Sequence, residues 1–223
     1  MPGRRAPAEP IIDELALPSL TPAGPEALRT GGHYEALLFT DADLSRRDLS
    51  AAAFSECEFL GLDASETQLR DARFIETRIE RLQAPAFTAQ RSFWRDVHLR
   101  DSRLGAVEMH DAELRAVRFA HSKLSFVNLR AAELRDVRFD HCIIEELDLS
   151  QVQAERLAFR DCTIGTIRFD SARLRHVDLR GLELRSLSGV DSMSGTILST
   201  SQALDLSTLF AEHLGITVRE GTN

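Results

Sequence analysis

The chain has 223 residues, 43% of them apolar, with 27 Lys and Arg against 35 Asp and Glu for a formal charge of -8. That is enough apolar material for one buried core and too much for a disordered chain, and no run approaches the roughly 18 consecutive apolar residues of a membrane span. Asp13 and Glu14 interrupt any apolar stretch behind Arg4 and Arg5, and the three cysteines (Cys57, Cys142, Cys162) are too scattered for a disulfide framework. The chain therefore reads as cytoplasmic, without an export signal or a membrane partner. Its acidic balance argues against direct nucleic-acid binding and favours a partner with a basic surface.

Residues 1–33 are rich in Pro, Ala and Gly, with one short apolar piece at Ile11 to Leu17, and are expected to form a flexible N-terminal tail. From Tyr34 onward a repeat takes over. Every fifth residue from Phe39 to Leu184 is apolar, thirty positions without a break. At the composition of this chain, chance would produce that about once in 10¹¹ trials. A step of five scatters residues around an α-helix and alternates them between the faces of a strand, so the chain must turn once per repeat. Two residues before each large position lies a second, smaller one, such as Ala42, Ala52, Cys57, Ala72, Val97, Ala112 and Val117. Spacing of two puts both side chains on one side of an extended segment. Each repeat is thus a very short strand followed by a corner. Between Asp41 and Arg185 there are 26 acidic and 23 basic residues, and only Arg47 falls on either inward register.

Like residues recur at twenty: Phe39, Phe59, Ile79, Leu99, Phe119, Phe139, Phe159 and Leu179 form one column, and Phe54, Phe74, Trp94, Leu114 and Leu134 another. Four repeats per turn give a four-sided solenoid over residues 34–187. Where the large slot holds Ala64, Ala84 or Ala154, the neighbouring small slot holds Leu62, Leu82 or Leu157, so the core volume is kept. The stretch Gln83 to Gln90 is expected to be an irregular coil with Pro85 at a corner. After Leu187 the repeat ends, leaving a C-terminal cap over 188–223. Within it Ser199, Thr200 or Ser201 can cap a helix over about 200–214, stopped by Gly215. Leu206, Leu209, Phe210 and Leu214 share one side of that helix, which suits either a lid on the last coil or a homodimer interface.

These residues resemble the pentapeptide-repeat family, whose pattern is roughly A(D/N)LXX. Matching segments are Ala42-Asp43-Leu44, Ala72-Arg73-Phe74, Ala112-Glu113-Leu114, Ala132-Glu133-Leu134 and Ala172-Arg173-Leu174. The resemblance implies an all-β solenoid, a right-handed quadrilateral β-helix, here with a short C-terminal capping α-helix and roughly seven coils over about 35 Å. It also implies that some relatives mimic B-DNA, bind type II topoisomerases such as DNA gyrase, and protect them from quinolones or other poisons. Others pair through their C-terminal ends. The present sequence departs from the pattern in placing Val, Cys and Leu in many small slots and Arg or Glu where Asp or Asn is usual.

Little in the sequence suggests chemistry. Cys142 and Cys162 stack one turn apart on an inward register, where thiols act as small apolar side chains rather than as a metal or redox pair. His121 and His141 stack with Asp101 and Asp161 in their column, at exposed corners. Phosphate loops, nucleophile elbows and zinc motifs are missing, so no catalytic, metal or cofactor residues are assigned and no enzyme is expected. On the surface, a column of Arg95, Arg115, Arg135 and Arg175 adjoins one of Glu56, Glu76, Asp96 and Asp136. A third column holds Arg78, His98, Arg118 and Arg138. These columns are expected to form an ion-pair ladder. The first coils instead concentrate Asp41, Asp43, Asp48, Glu56, Glu58, Asp63 and Glu66 against Arg46 and Arg47. The reading is a non-enzymatic protein-interaction scaffold that binds another protein through a rigid face or this acidic end, the best candidate for docking a basic partner; the alternative is a DNA-mimic binder that modulates or protects DNA gyrase.

Overall fold

A twenty-residue step runs from His33 to Ser188 in the structure, a computed structural model that describes residues 8–219. Each strand pairs in parallel with the one a full turn later, so that Phe54 lies over Phe74, Phe74 over Trp94 and Leu114 over Leu134. Strands such as Arg73–Glu80, Phe93–Arg100, Glu113–Ala120, Glu133–Asp140 and Gln153–Arg160 bend across one corner and cover two sides of the square. Gln83–Thr88, Arg103–Glu108 and their successors form the second sheet and bend in the same way across the other two sides. No helix among the described residues is long and apolar enough to cross a membrane.

The two inward registers form the core. Of the thirty large positions only Leu174 and Leu184, near the C-terminal end, are part-exposed; the rest are buried. Aromatic rings stack rung on rung, with centroids 5.0 Å apart for Phe39–Phe59, 4.3 Å for Phe74–Trp94 and 4.7 Å for Phe119–Phe139. In the first coil all four corners place a residue in the left-handed region, at Asp41, Arg46, Ala51 and Glu56. Such a conformation costs a non-glycine residue about 1 kcal/mol, offset here by the ladder. The corner amides are its rungs: Asp41 N donates to Leu60 O at 2.7 Å and Ala51 N to Arg70 O at 2.8 Å.

Three expectations need correction. The stretch Gln83 to Gln90 is regular, not irregular: Ala84 and Ala86 pair with Leu104 and Ala106, and Pro85 sits where the strand turns the corner between buried Ala84 and Phe87, at a position with no ladder partner. Gly105 faces it because a Cβ there would lie 2.2 Å from Pro85 O. The rod is also longer than seven coils. Thr21–Pro22 adds a rung before Leu37–Thr40, and Thr196–Ile197 adds one after Arg173–Asp178, so ten strands stack along one path over roughly 43 Å. Finally, residues 8–33 do not stand free as a tail. Leu28 is buried in the core, and the Tyr34 hydroxyl ties the cap by accepting from Arg29 N at 2.7 Å and donating to Ala27 O at 3.1 Å. Arg47, the one inward charge, donates to Pro25 O at 2.7 Å. The tail expectation for residues 1–7 lies outside the described residues.

Candidate functional site

The seven acidic residues of the first coils do not share a face. Asp43 and Asp63 stack on one side, Asp48 lies on the next, Glu58 on another, and Asp41, Glu56 and Glu66 stand at corners, so the acids encircle the N-terminal end of the rod. Three of them are fixed by their own corners. Asp43, Asp48 and Asp63 each accept the amide of the serine two residues on, at 2.8–2.9 Å. The Ser45 and Ser50 side chains and amides hold the Asp43 and Asp48 carboxyls below the usual range. Glu58 is drawn into a pair with Arg78 at 2.9 Å, Glu66 reaches Arg46 at 3.3 Å and Asp41 reaches Arg81 at 3.9 Å. Among the described residues Asp43, Asp48, Glu56 and Asp63 have no cation within 4 Å.

Further along, many of the acids are paired, several of them between rungs. Arg156 grips Asp136 through two bonds of 2.6 and 2.7 Å and Glu155 at 2.8 Å, while Arg175 reaches Glu155 at 3.7 Å. Arg95 lies 3.9 Å from Glu76 and 3.5 Å from Asp96. Arg118 and Arg138 share the buried Asp140 at 2.6 and 2.9 Å. Like-charged columns thus interleave with opposite charge, and the rod surface alternates in sign.

The column Arg78, His98, Arg118 and Arg138 is covered by a segment that sequence reasoning missed. Residues 9–15 run along the rod axis across successive strands. Glu9 pairs with Arg160 at 2.9 Å, Ile11 N donates to Asp136 Oδ1 at 2.9 Å, and Leu15 O accepts from Arg78 Nη2 at 2.9 Å. Glu14 borders an open cleft of about 350 Å³ with Arg78, His98, Arg100, Arg118 and His121. Burial and Arg118 push the His98 pKa down, against the opposing pull of Glu14. The only sequence signal for this strap was the apolar piece Ile11 to Leu17 with acids inside it.

Cys142 and Cys162 are buried and unbridged, and the Cys162 thiol completes a backbone ladder: Cys142 N donates to Cys162 Sγ at 3.3 Å. The bond to Cys162, then burial, pushes the Cys142 thiol up. His121 and His141 stack at 4.9 Å, and no metal-holding group of three or more His, Cys, Asp or Glu occurs among the described residues.

At the other end the expected single helix is two: α1 (Thr200–Asp205) and α2 (Ser207–His213), parted at Leu206, whose ψ of 0 tightens the turn. Ser199 and Gln202 form a capping box, and Gly215 follows in the left-handed conformation. Leu206, Leu209 and Phe210 are half-buried, with Leu209 against the core; Leu214 is 73% exposed, beside exposed Ile216 and Val218.

Five-residue rungs stacked in register define a parallel β-solenoid scaffold. The chain belongs to the pentapeptide-repeat family: residues 38–77 match the model for pentapeptide repeats and residues 92–169 that for a pentapeptide repeat region. No curated protein matches the chain. Among solved structures it is similar to full-length QnrB1, a plasmid-mediated fluoroquinolone resistance protein, at 19% identity over 87% of this chain and 95% of that one, with a TM-score of 0.37. It is also similar to HetL from Nostoc sp. strain PCC 7120, a pentapeptide repeat protein involved in heterocyst differentiation regulation. There the identity is 18% over 76% of this chain and 90% of that one, with a TM-score of 0.32.

Proposed function

We propose that the rod is a non-enzymatic docking scaffold that binds a basic partner protein through its acidic N-terminal end. One observation among the described residues supports this above the rest: Asp43, Asp48, Glu56 and Asp63 gather at one end with no cation within 4 Å, whereas further along unpaired acids such as Glu133, Asp148 and Asp170 are scattered among paired ones such as Glu76, Asp136 and Asp140. Unpaired like charges repel, and a basic surface relieves that repulsion while steering encounter. Its three unbridged thiols suit a reducing compartment such as the cytoplasm. Photo-cross-linking in cell extract tests the reading, with the reactive group placed at Asp43 or at Arg175. Adducts confined to position 43 and lost in Asp48→Lys/Asp63→Lys support it; adducts independent of position overturn it.

The same acidic end also fits a second reading, in which it stands in for DNA phosphates on DNA gyrase. The alternating signs along the rod place this reading second, because a DNA mimic needs continuous negative stripes. A supercoiling assay with and without a fluoroquinolone decides it: protection or inhibition at micromolar protein favours gyrase, and neither effect sinks it.

Pairing of two copies through the cap is a further part of the proposal, supported by exposed Leu214, Ile216 and Val218. Solution mass of the wild type against Leu214→Glu tests it. A dimer that becomes a monomer is expected, and a monomeric wild type removes the interface.

A further inference from the structure

The strap of residues 9–15 uses the rod in a way that core packing does not require. No side chain from Ala8 to Pro22 is buried, and Ile11 is 67% exposed. Beside the half-buried Ile12, Leu15 and Leu17, its directional ties are polar: the Glu9–Arg160 pair, the Ile11 amide on Asp136 and the Leu15 carbonyl on Arg78. The geometry is that of a fully extended chain. Six residue steps from Glu9 to Leu15 span roughly 20 Å, and the four rungs between the Arg160 and Arg78 levels span about 19 Å. Beyond it the chain is anchored independently, since Thr21 N and Ala23 N bond to Ala36 O and Leu38 O and Leu28 is buried. The strap can lift while the end cap stays in place.

We infer that the face carrying Arg78, His98, Arg118 and Arg138 is a docking groove for an extended acidic polypeptide segment of a partner protein, and that residues 9–15 occupy it in cis as a displaceable stand-in. The occupant seen there already carries the required chemistry. Glu9 meets Arg160, Glu14 stands at the cleft of Arg78, His98, Arg100 and Arg118, and the backbone supplies both a donor, to Asp136, and an acceptor, for Arg78. That mixture favours a peptide over a nucleic acid. Glu58, Glu80, Asp136 and Asp140 interrupt the cations, so a phosphate chain would meet carboxylates, whereas a peptide can offer N–H groups to them. Because the strap competes from within the same molecule, its effective concentration is high and it screens out weak acidic ligands. This groove meets the acidic end only at Glu58, which Arg78 already pairs, so its failure would leave the scaffold role proposed for the unpaired Asp43, Asp48, Glu56 and Asp63 untouched.

The test uses the full chain and a fluorescent peptide of residues 8–20, followed by fluorescence anisotropy. In Glu9→Lys/Asp13→Lys/Glu14→Lys the chain's own strap is unseated, and the peptide should bind at least ten-fold more tightly than to the wild type. Binding should weaken by a further ten-fold or more between 50 and 500 mM salt. Equal affinity for both proteins overturns the inference. So does equally tight binding of a single-stranded oligonucleotide, or cross-links from Glu9 to Arg160 between differently labelled copies, which would make the strap an exchange between chains. Should the triple variant fold poorly, hydrogen exchange on the wild type serves instead. Excess polyglutamate peptide should speed exchange at the Ile11 amide, and an unchanged rate overturns the inference.

Discussion

Trp94 buries its indole completely, and its only polar atom donates to Ser92 Oγ at 2.7 Å. Ser92 passes the bond on, donating to Ala89 O at 2.6 Å. The small slot below the largest side chain of the core is therefore occupied by a residue that is both small and hydrogen-bonding. Ser92→Ala keeps the volume but strands the indole N–H, which should cost about 1–3 kcal/mol. Urea unfolding followed by the fluorescence of this single tryptophan reads the change directly. A shift worth less than about 0.5 kcal/mol would show that the pair is not needed.

The same logic gives the stacked cysteines a structural role. In their column Leu82 N donates to Ser102 Oγ and Ser102 N to Ser122 Oγ, both at 3.1 Å, before Cys142 N turns to Cys162 Sγ. The column needs a small side chain that accepts a bond from the rung before it. Cys162→Ser should therefore be tolerated within about 1 kcal/mol, whereas Cys162→Val should cost about 1–3 kcal/mol by leaving the Cys142 amide buried and unpaired. Equal midpoints for the two variants in thermal unfolding would refute this reading.

What could be read in advance follows from where information is stored in this chain. Inward residues are set by repeat packing, and Phe39 to Leu184 announce themselves through a strict period. Pro85 suggested an irregular coil, but it falls at a corner position that has no ladder partner, with Gly105 making room, so the coil stays regular. The strap was illegible for a different reason. Two of its three ties, Ile11 amide to Asp136 and Leu15 carbonyl to Arg78, involve backbone groups that every residue carries, and the third joins Glu9 to Arg160 across 151 residues with no period to link them. The acidic end was visible as composition, but only the register shows that it encircles the rod instead of forming a patch.

Gln202 closes the C-terminal end. Its Nε2 donates to Leu179 O at 2.7 Å and Leu182 O at 2.8 Å, while its Oε1 accepts from Ser199 N at 2.9 Å. Two carbonyls of the exposed last rung and one helix amide thus depend on one side chain. Gln202→Leu should cost about 1–3 kcal/mol and loosen the end selectively. Hydrogen exchange should quicken across Leu182–Ser188 and stay unchanged across Glu113–Ala120. Uniform change along the rod would mean that the cap does not act locally.

Asp136 supplies the pH dependence. Burial raises its pKa, but bonds from Arg156 and Ile11 and the Arg156 charge outweigh that and leave the carboxyl below its usual 3.8. As pH falls, the unfolded chain takes up this proton before the folded one does. The pair's contribution is therefore complete above the unfolded value near 3.8 and is lost as pH drops through the lower folded value. Asp136→Asn leaves the Arg156 guanidinium, whose side chain is 11% exposed, without its main counter-charge. The expected cost at pH 7 is about 1–3 kcal/mol, below that of a fully buried pair because Glu155 remains in reach of Arg156. Urea midpoints for wild type and variant should differ at pH 7 and converge as pH falls below 3.8. A gap that stays constant with pH would assign the loss to packing rather than to the charge.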